Sequence, residues 1–123
     1  MQGGVAALTA TVTAEELRRK LDAGESFVLV DALAPMIYAH SHLPEAINLP
    51  AAAVDPTRVA RRIPDRDTEI VVYCANADCD DSLVTARKLT ELGYTNVLHY
   101  AGGKDEWREL GYPLERAGKP YTP

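Results

Sequence analysis

The stretch Ile70-Val71-Val72-Tyr73-Cys74-Ala75-Asn76-Ala77-Asp78-Cys79-Asp80-Asp81-Ser82 decides how the chain folds. Its first four residues form an unbroken apolar run, without the alternation of a half-exposed strand, as expected of a strand covered on both faces in a parallel sheet. The run stops at a cysteine, crosses a short loop and enters a helix opened by Ser82 and predicted over residues 82–92. Phe27-Val28-Leu29-Val30, ending at Asp31, and Asn96-Val97-Leu98-His99-Tyr100, followed by Gly102-Gly103, repeat the pattern on either side. Two weaker strands are expected near residues 9–12 and 46–48.

Helical stretches separate these strands. Thr13 and Glu16 form a capping-box pair ahead of a helix over residues 14–23 that Gly24 closes, and further helices are expected over residues 35–39, 55–62 and 104–110. Alternating strands and helices with short connections select a parallel sheet with helices on both faces. The expected fold is therefore α/β: one three-layer α/β/α domain over residues 1–123 with a five-stranded parallel sheet. Residues 1–8 are expected to be flexible, and residues 111–123, which carry Pro113, Pro120 and Pro123, to form an irregular tail.

Composition narrows the function. A chain of 123 residues with 46% hydrophobic residues builds one core without a disulfide or metal staple. Its net charge of −5 argues against a nucleic-acid or anionic-membrane surface, and a basic cluster such as Arg58, Arg61 and Arg62 is small. No apolar run approaches the roughly 18–20 residues of a membrane span, and the start lacks the pattern of a signal peptide. A soluble, cytoplasmic protein is expected, in which two cysteines are more often reactive than structural.

Ligands of open α/β sheets gather at the C-terminal ends of the strands, where Cys74 lies. The backbone N–H groups of Ala75, Asn76, Ala77, Asp78, Cys79, Asp80 and Asp81, with the helix N-terminus at Ser82, are expected to form a cradle that stabilises a thiolate or a bound anion. Position alone also fits a small buried hydrophobe.

Five segments tip that balance: Phe27-Val28-Leu29-Val30-Asp31, His42-Leu43-Pro44-Glu45-Ala46-Ile47-Asn48-Leu49-Pro50, Tyr73-Cys74 with its loop and helix, Leu92-Gly93-Tyr94-Thr95-Asn96-Val97, and Gly102-Gly103-Lys104-Asp105-Glu106-Trp107. In this order and spacing the chain resembles a single-domain rhodanese, the sulfurtransferase family whose fold also serves a group of phosphatases. The resemblance implies strand order 1-5-4-2-3. It also implies that Cys74 takes a sulfane sulfur, becomes a persulfide and passes the sulfur to a thiol or other acceptor, with no metal or organic cofactor. The implied partners are a small-molecule or protein persulfide as sulfur donor and a thiol acceptor. Asp31 and Ser82 are expected to support the site without touching substrate.

Several residues depart from the family pattern. Leu33 stands where an arginine is usual and Glu45 replaces a glycine, while the stretch from Asp67 through Ala86 has five carboxylates and no Lys, Arg or His. A free thiol with a pKa near 8.5 is only about 3% thiolate at pH 7. A helix terminus contributes roughly 0.3–2 kcal/mol toward the anion, whereas one carboxylate about 7 Å away opposes it by roughly 2 kcal/mol. Asp78, Asp80 and Asp81 are therefore expected to face solvent. The same charges disfavour thiosulfate as donor and exclude a phosphatase, which grips phosphate with an arginine. Cys79 has three readings: a resolving thiol for oxidised or persulfidated Cys74, an inert residue, or a zinc ligand with His40, His42 and His99. His42 is expected to pack structurally, Gly102-Gly103 to make a turn, and Trp107 to cover the edge of the sheet. The leading reading is a sulfurtransferase. A rhodanese-like interaction or redox-sensing module without turnover competes with it, and a Cys74/Cys79 dithiol oxidoreductase is third.

Overall fold

The computed structural model describes residues 10–117 and 119–121. Seven strands and five helices follow in chain order: β1 (Ala10–Thr11), α1 (Ala14–Asp22), β2 (Val28–Asp31), α2 (Pro35–His40), β3 (Ile47–Asn48), α3 (Pro56–Arg62), β4 (Ile70–Tyr73), α4 (Asp81–Glu91), β5 (Val97–His99), α5 (Gly103–Glu109), β6 (Leu114–Arg116) and β7 (Lys119–Tyr121). Five strands form a parallel sheet in the order β1-β5-β4-β2-β3. This is the order and the α/β class that the resemblance implies.

Local chemistry sets the helix starts. Thr13 caps α1 by accepting from the Glu16 N–H at 3.1 Å while Glu16 accepts from the Thr13 N–H at 2.8 Å. Asp55 caps α3 through the Thr57 and Arg58 N–H groups, with Pro56 in the first turn. β4 is buried along its whole length, in keeping with its unbroken apolar run.

Alternation along the strands divides the core into two layers. Val30, Val72 and Cys74 pack with Val59 of α3, Ile63 just after it, and Ala86 and Leu89 of α4. Leu29, Val71 and Tyr73 pack on the other face with Ala14 and Leu17 of α1 and Trp107 of α5. Each fully buried aliphatic side chain contributes about 1.5–3 kcal/mol, so both faces of β4 carry weight in stability.

Two expectations are corrected here. Residues 111–123 are not an irregular tail throughout, because β6 and β7 pair as an antiparallel hairpin whose turn holds Ala117 at φ 54°. Pro120 is tolerated because it sits on a peripheral strand. The hairpin is tied to the domain by reciprocal backbone hydrogen bonds between His42 and Glu115 at 2.9 and 2.8 Å. Trp107 does not cover the sheet edge either: it is fully buried, donating its indole N–H to the Pro113 carbonyl at 2.8 Å, with Tyr112 edge-on to its ring. A short turn of 3-10 helix at Ala51–Ala53 carries no signature in the sequence. The flexible start expected for residues 1–8 lies outside the described residues. Among the described residues, no helix is long and apolar enough to cross a membrane.

Candidate active site

Cys74 follows the last residue of β4, 1% exposed, with Leu33 and Leu49 in the same apolar cluster and Cys79 packed against it. The loop from 75 to 80 is ordered by α5. The Lys104 N–H donates to the Cys74 carbonyl at 2.9 Å and the Asp105 N–H to the Ala75 carbonyl at 2.8 Å. Gly103 makes this approach possible: at φ 69°, a Cβ there would lie 2.6 Å from the Ala75 carbonyl carbon. Asn76 gathers the rest of the loop, accepting from the Asp78 N–H on its side chain and the Cys79 N–H on its carbonyl, and donating to Asp105 at 3.1 Å. Ala75 and Asn76 are half-buried, while Ala77, Asp78, Asp80 and Asp81 are exposed. The three aspartates thus face solvent, as the charge arithmetic requires.

Around the sulfur the arrangement differs from a ring of amides. Two of the loop N–H groups are committed to Asn76, and the Cys79 carbonyl oxygen faces Cys74 Sγ at 3.2 Å. The Ser82 hydroxyl lies 3.1 Å from Sγ on the other side, and 2.7 Å from Nε2 of His99 at the end of β5. Burial, reinforced by the Cys79 thiol, pushes the Cys74 thiol up to about 11, against the opposing pull of Ser82's hydroxyl and N–H. At neutral pH the sulfur therefore rests mainly as a thiol. The pKa moves in the direction opposite to that expected of a cradle that stabilises a thiolate. Burial and the Cys79 side chain outweigh the Ser82 hydroxyl and N–H at the helix start.

Asp31 belongs to the opposite face. It pairs in register with Tyr73, one residue before Cys74, so alternation directs it away from the sulfur. It accepts the Tyr73 hydroxyl at 2.6 Å and the Leu33 N–H at 2.8 Å, which fixes the turn after β2, not the cysteine loop. Burial raises its pKa. Lys104, 5% exposed, lies on this side and donates to the Ser41 carbonyl at 2.8 Å. His42 stacks on Tyr38 with ring centroids 4.0 Å apart, the structural role expected of it. His40 meets Arg116 of the hairpin. Sequence reasoning weighed His99 only as a metal ligand and missed its place beside Ser82. The signal was available, since β5 lies next to β4 in the sheet order and His99 ends it.

The rhodanese-like domain model matches residues 13–110, and the chain belongs to the rhodanese-like domain family. A sulfurtransferase from Allochromatium vinosum is 31% identical over 103 residues, which are 84% of this chain and 92% of that protein. An HTH-type transcriptional regulator from Mycobacterium tuberculosis is 36% identical over 104 residues, 85% of this chain but 44% of the regulator. Among solved structures, a human single-domain sulfurtransferase aligns with a TM-score of 0.68 at 27% identity, covering 82% of this chain and 96% of that one. A protein from Bacillus halodurans shares the fold with a TM-score of 0.82 at 24% identity over 91% of this chain and 80% of its own.

Proposed function

We propose that this chain is a sulfurtransferase whose Cys74 carries sulfur as a persulfide, in a reducing, cytoplasmic setting. The observation that carries the reading is a buried cysteine at the C-terminal end of the central strand, its sulfur facing the hydroxyl of Ser82 in the first turn of α4. Kinship with the Allochromatium vinosum sulfurtransferase over nearly that protein's full length supports it.

In the first half-reaction Cys74 attacks the outer sulfur of a donor R–S–S–H. An S–S bond forms at Cys74, the donor's S–S bond breaks, and R–S⁻ leaves and is protonated by the proton Cys74 gave up. In the second, an acceptor thiol attacks the outer sulfur of the Cys74 persulfide and restores the thiol. Neither half-reaction involves net oxidation. The donor class is a small-molecule or protein persulfide and not thiosulfate, because Asp78, Asp80 and Asp81 are exposed on the loop and Leu33, which shares the apolar cluster of Cys74, stands where the family usually has an arginine. Residues 75–81 form the rim that the donor meets.

A second reading concerns Cys79, whose carbonyl and thiol both bear on Cys74. Its thiol would attack the inner sulfur of the Cys74 persulfide, expelling hydrosulfide and leaving a Cys74–Cys79 disulfide.

Intact mass of the reduced protein after glutathione persulfide or thiosulfate, repeated with Cys74→Ser and Cys79→Ser, tests both readings. A gain of one sulfur from the persulfide, absent in Cys74→Ser, is expected. Loss of two hydrogens that needs both cysteines would favour the dithiol. No gain with either donor would leave an interaction module in place of an enzyme.

A further inference from the structure

A buried thiol has to give up its proton before its sulfur can attack, and the acidic rim supplies no cation to help. We infer that His99, acting through the Ser82 hydroxyl, accepts the Cys74 proton as the sulfur attacks; this rests on the sulfurtransferase reading above.

Three elements converge to make the path. Cys74 directly follows β4, Ser82 lies in the first turn of α4, and His99 ends β5. Register pairs Val72 with His99 in the neighbouring strand, close to where β4 delivers Cys74. The two hops, Sγ to Ser82 Oγ at 3.1 Å and Oγ to His99 Nε2 at 2.7 Å, are both within hydrogen-bond reach.

The hydroxyl has one hydrogen. If it accepts from the Cys74 S–H, it donates to Nε2, and the imidazole hydrogen sits on Nδ1. Burial lowers the His99 pKa, which keeps the ring neutral and able to accept at neutral pH. Among the described residues that register or a hydrogen bond sets beside it, none is charged: Ser82 from α4 with Cys74 behind it, Val72 from β4, and from β1 Thr11 in register and the Val12 N–H on the His99 carbonyl at 3.0 Å. Among the described residues, burial is the influence that moves the ring's pKa.

In the transfer, the Cys74 S–H bond breaks and its proton passes to Ser82 as the hydroxyl proton passes to Nε2. The new S–S bond forms, the donor's S–S bond breaks, and the proton on Nε2 goes back to the Ser82 hydroxyl as that hydroxyl gives its own proton to the departing thiolate. The chain of hydrogen bonds also runs in reverse: an imidazolium donates to Ser82, which donates to the sulfur anion, with the Ser82 N–H adding a second bond. Ser82 touches the reacting sulfur and is a catalytic residue of this path, whereas His99 acts through it and is a positioning residue.

The pH profile of iodoacetamide alkylation at Cys74 in the full chain tests the path. Wild-type protein should show an inflection below the thiol range, where an imidazole titrates. His99→Gln keeps a hydrogen-bonding side chain that cannot take a proton. It should erase the inflection and slow alkylation at pH 7 by about tenfold or more. Ser82→Ala should do the same, and the double variant should be no slower than either single one, as for two members of one path. Thermal unfolding of each variant shows whether it is folded. Nitrogen NMR of the wild-type ring supplies a measurement that needs no variant, with a protonated Nδ1 and a bare Nε2 expected. A His99→Gln profile matching wild type within about twofold, or a ring protonated on Nε2 with Nδ1 bare, would overturn the path. Sulfur loading by intact mass on the same wild-type sample separates the two ideas, because its absence removes the sulfurtransferase reading while the alkylation profile still reports on His99.

Discussion

Replacing Gly103 with alanine measures how rigidly α5 holds the cysteine loop. Two costs combine at this position. Gly103 lies at φ 69°, where an L-residue pays about 1–2 kcal/mol. The new Cβ would also stand 2.6 Å from the Ala75 carbonyl carbon and 2.7 Å from both the Ala75 oxygen and the Asn76 nitrogen. All three are backbone atoms, far inside the roughly 3.5–4.0 Å at which carbon atoms attract one another. Relief by shifting the backbone costs a further 1–3 kcal/mol or so, by analogy with overpacked cores. Gly24 is the internal control, because at φ 66° it has the first cost but nothing within 4 Å of its Cβ. Urea denaturation should therefore place Gly103→Ala about 1–3 kcal/mol below Gly24→Ala. Alkylation of native Cys74 should change only in the former, where the Lys104 N–H to Cys74 carbonyl bond is strained. Equal destabilisation of the two variants, with Cys74 reactivity unchanged in both, would refute the claim that α5 positions the loop.

Tyr73→Phe removes the donor to Asp31 and the acceptor for the Leu43 N–H, both buried, at an expected cost of about 2–3 kcal/mol. Because burial raises the folded pKa of Asp31, its contribution is fully present below the unfolded carboxylate pKa and is lost as pH rises through the folded one. Losing the Tyr73 donor raises that pKa further, so the variant should lose more stability at neutral than at acid pH, and urea midpoints at the two pH values check the sign. Trp107→Phe leaves the Pro113 carbonyl without its indole donor and should cost about 1–2 kcal/mol. Faster hydrogen exchange at the Glu115 N–H would report the loosened hairpin, and unchanged exchange would show that the indole does not hold it.

The sheet was legible because its central strands are apolar on both faces. Ile70-Val71-Val72-Tyr73 admits no other burial pattern, and Thr13 with Glu16 marks a helix start by its own hydrogen bonds. The C-terminal hairpin was not legible, since three prolines read as breakers unless the tertiary position of Pro120 on a peripheral strand is known. Cys74 was legible as a strand end followed by a helix. The groups bearing on its sulfur were not, because Ser82 and His99 are 17 residues apart and meet only through the adjacency of β4 and β5. Asp31 was assigned to the neighbourhood of the loop on strand ends alone. Register with Tyr73 sends it to the other face, and register is what single-strand patterns do not carry.

That parity has a chemical consequence. Tyr73 and Cys74 are neighbours in sequence, yet Tyr73 joins Asp31 and Lys104 on the face of α1 and α5, while Cys74 joins Ser82 and His99 toward α4 and β5. The chain can therefore bury an acid to fix the turn after β2 without facing it toward the sulfur. Burial and Cys79 are the largest influences raising the Cys74 pKa, and neither is a carboxylate. Asp78, Asp80 and Asp81 stand in solvent, where charges are screened within about 10 Å. Their effect falls on what approaches the loop more than on the sulfur beneath it, so in the proposed reaction the acidic rim would bear on the choice of donor and the Ser82–His99 pair on the proton.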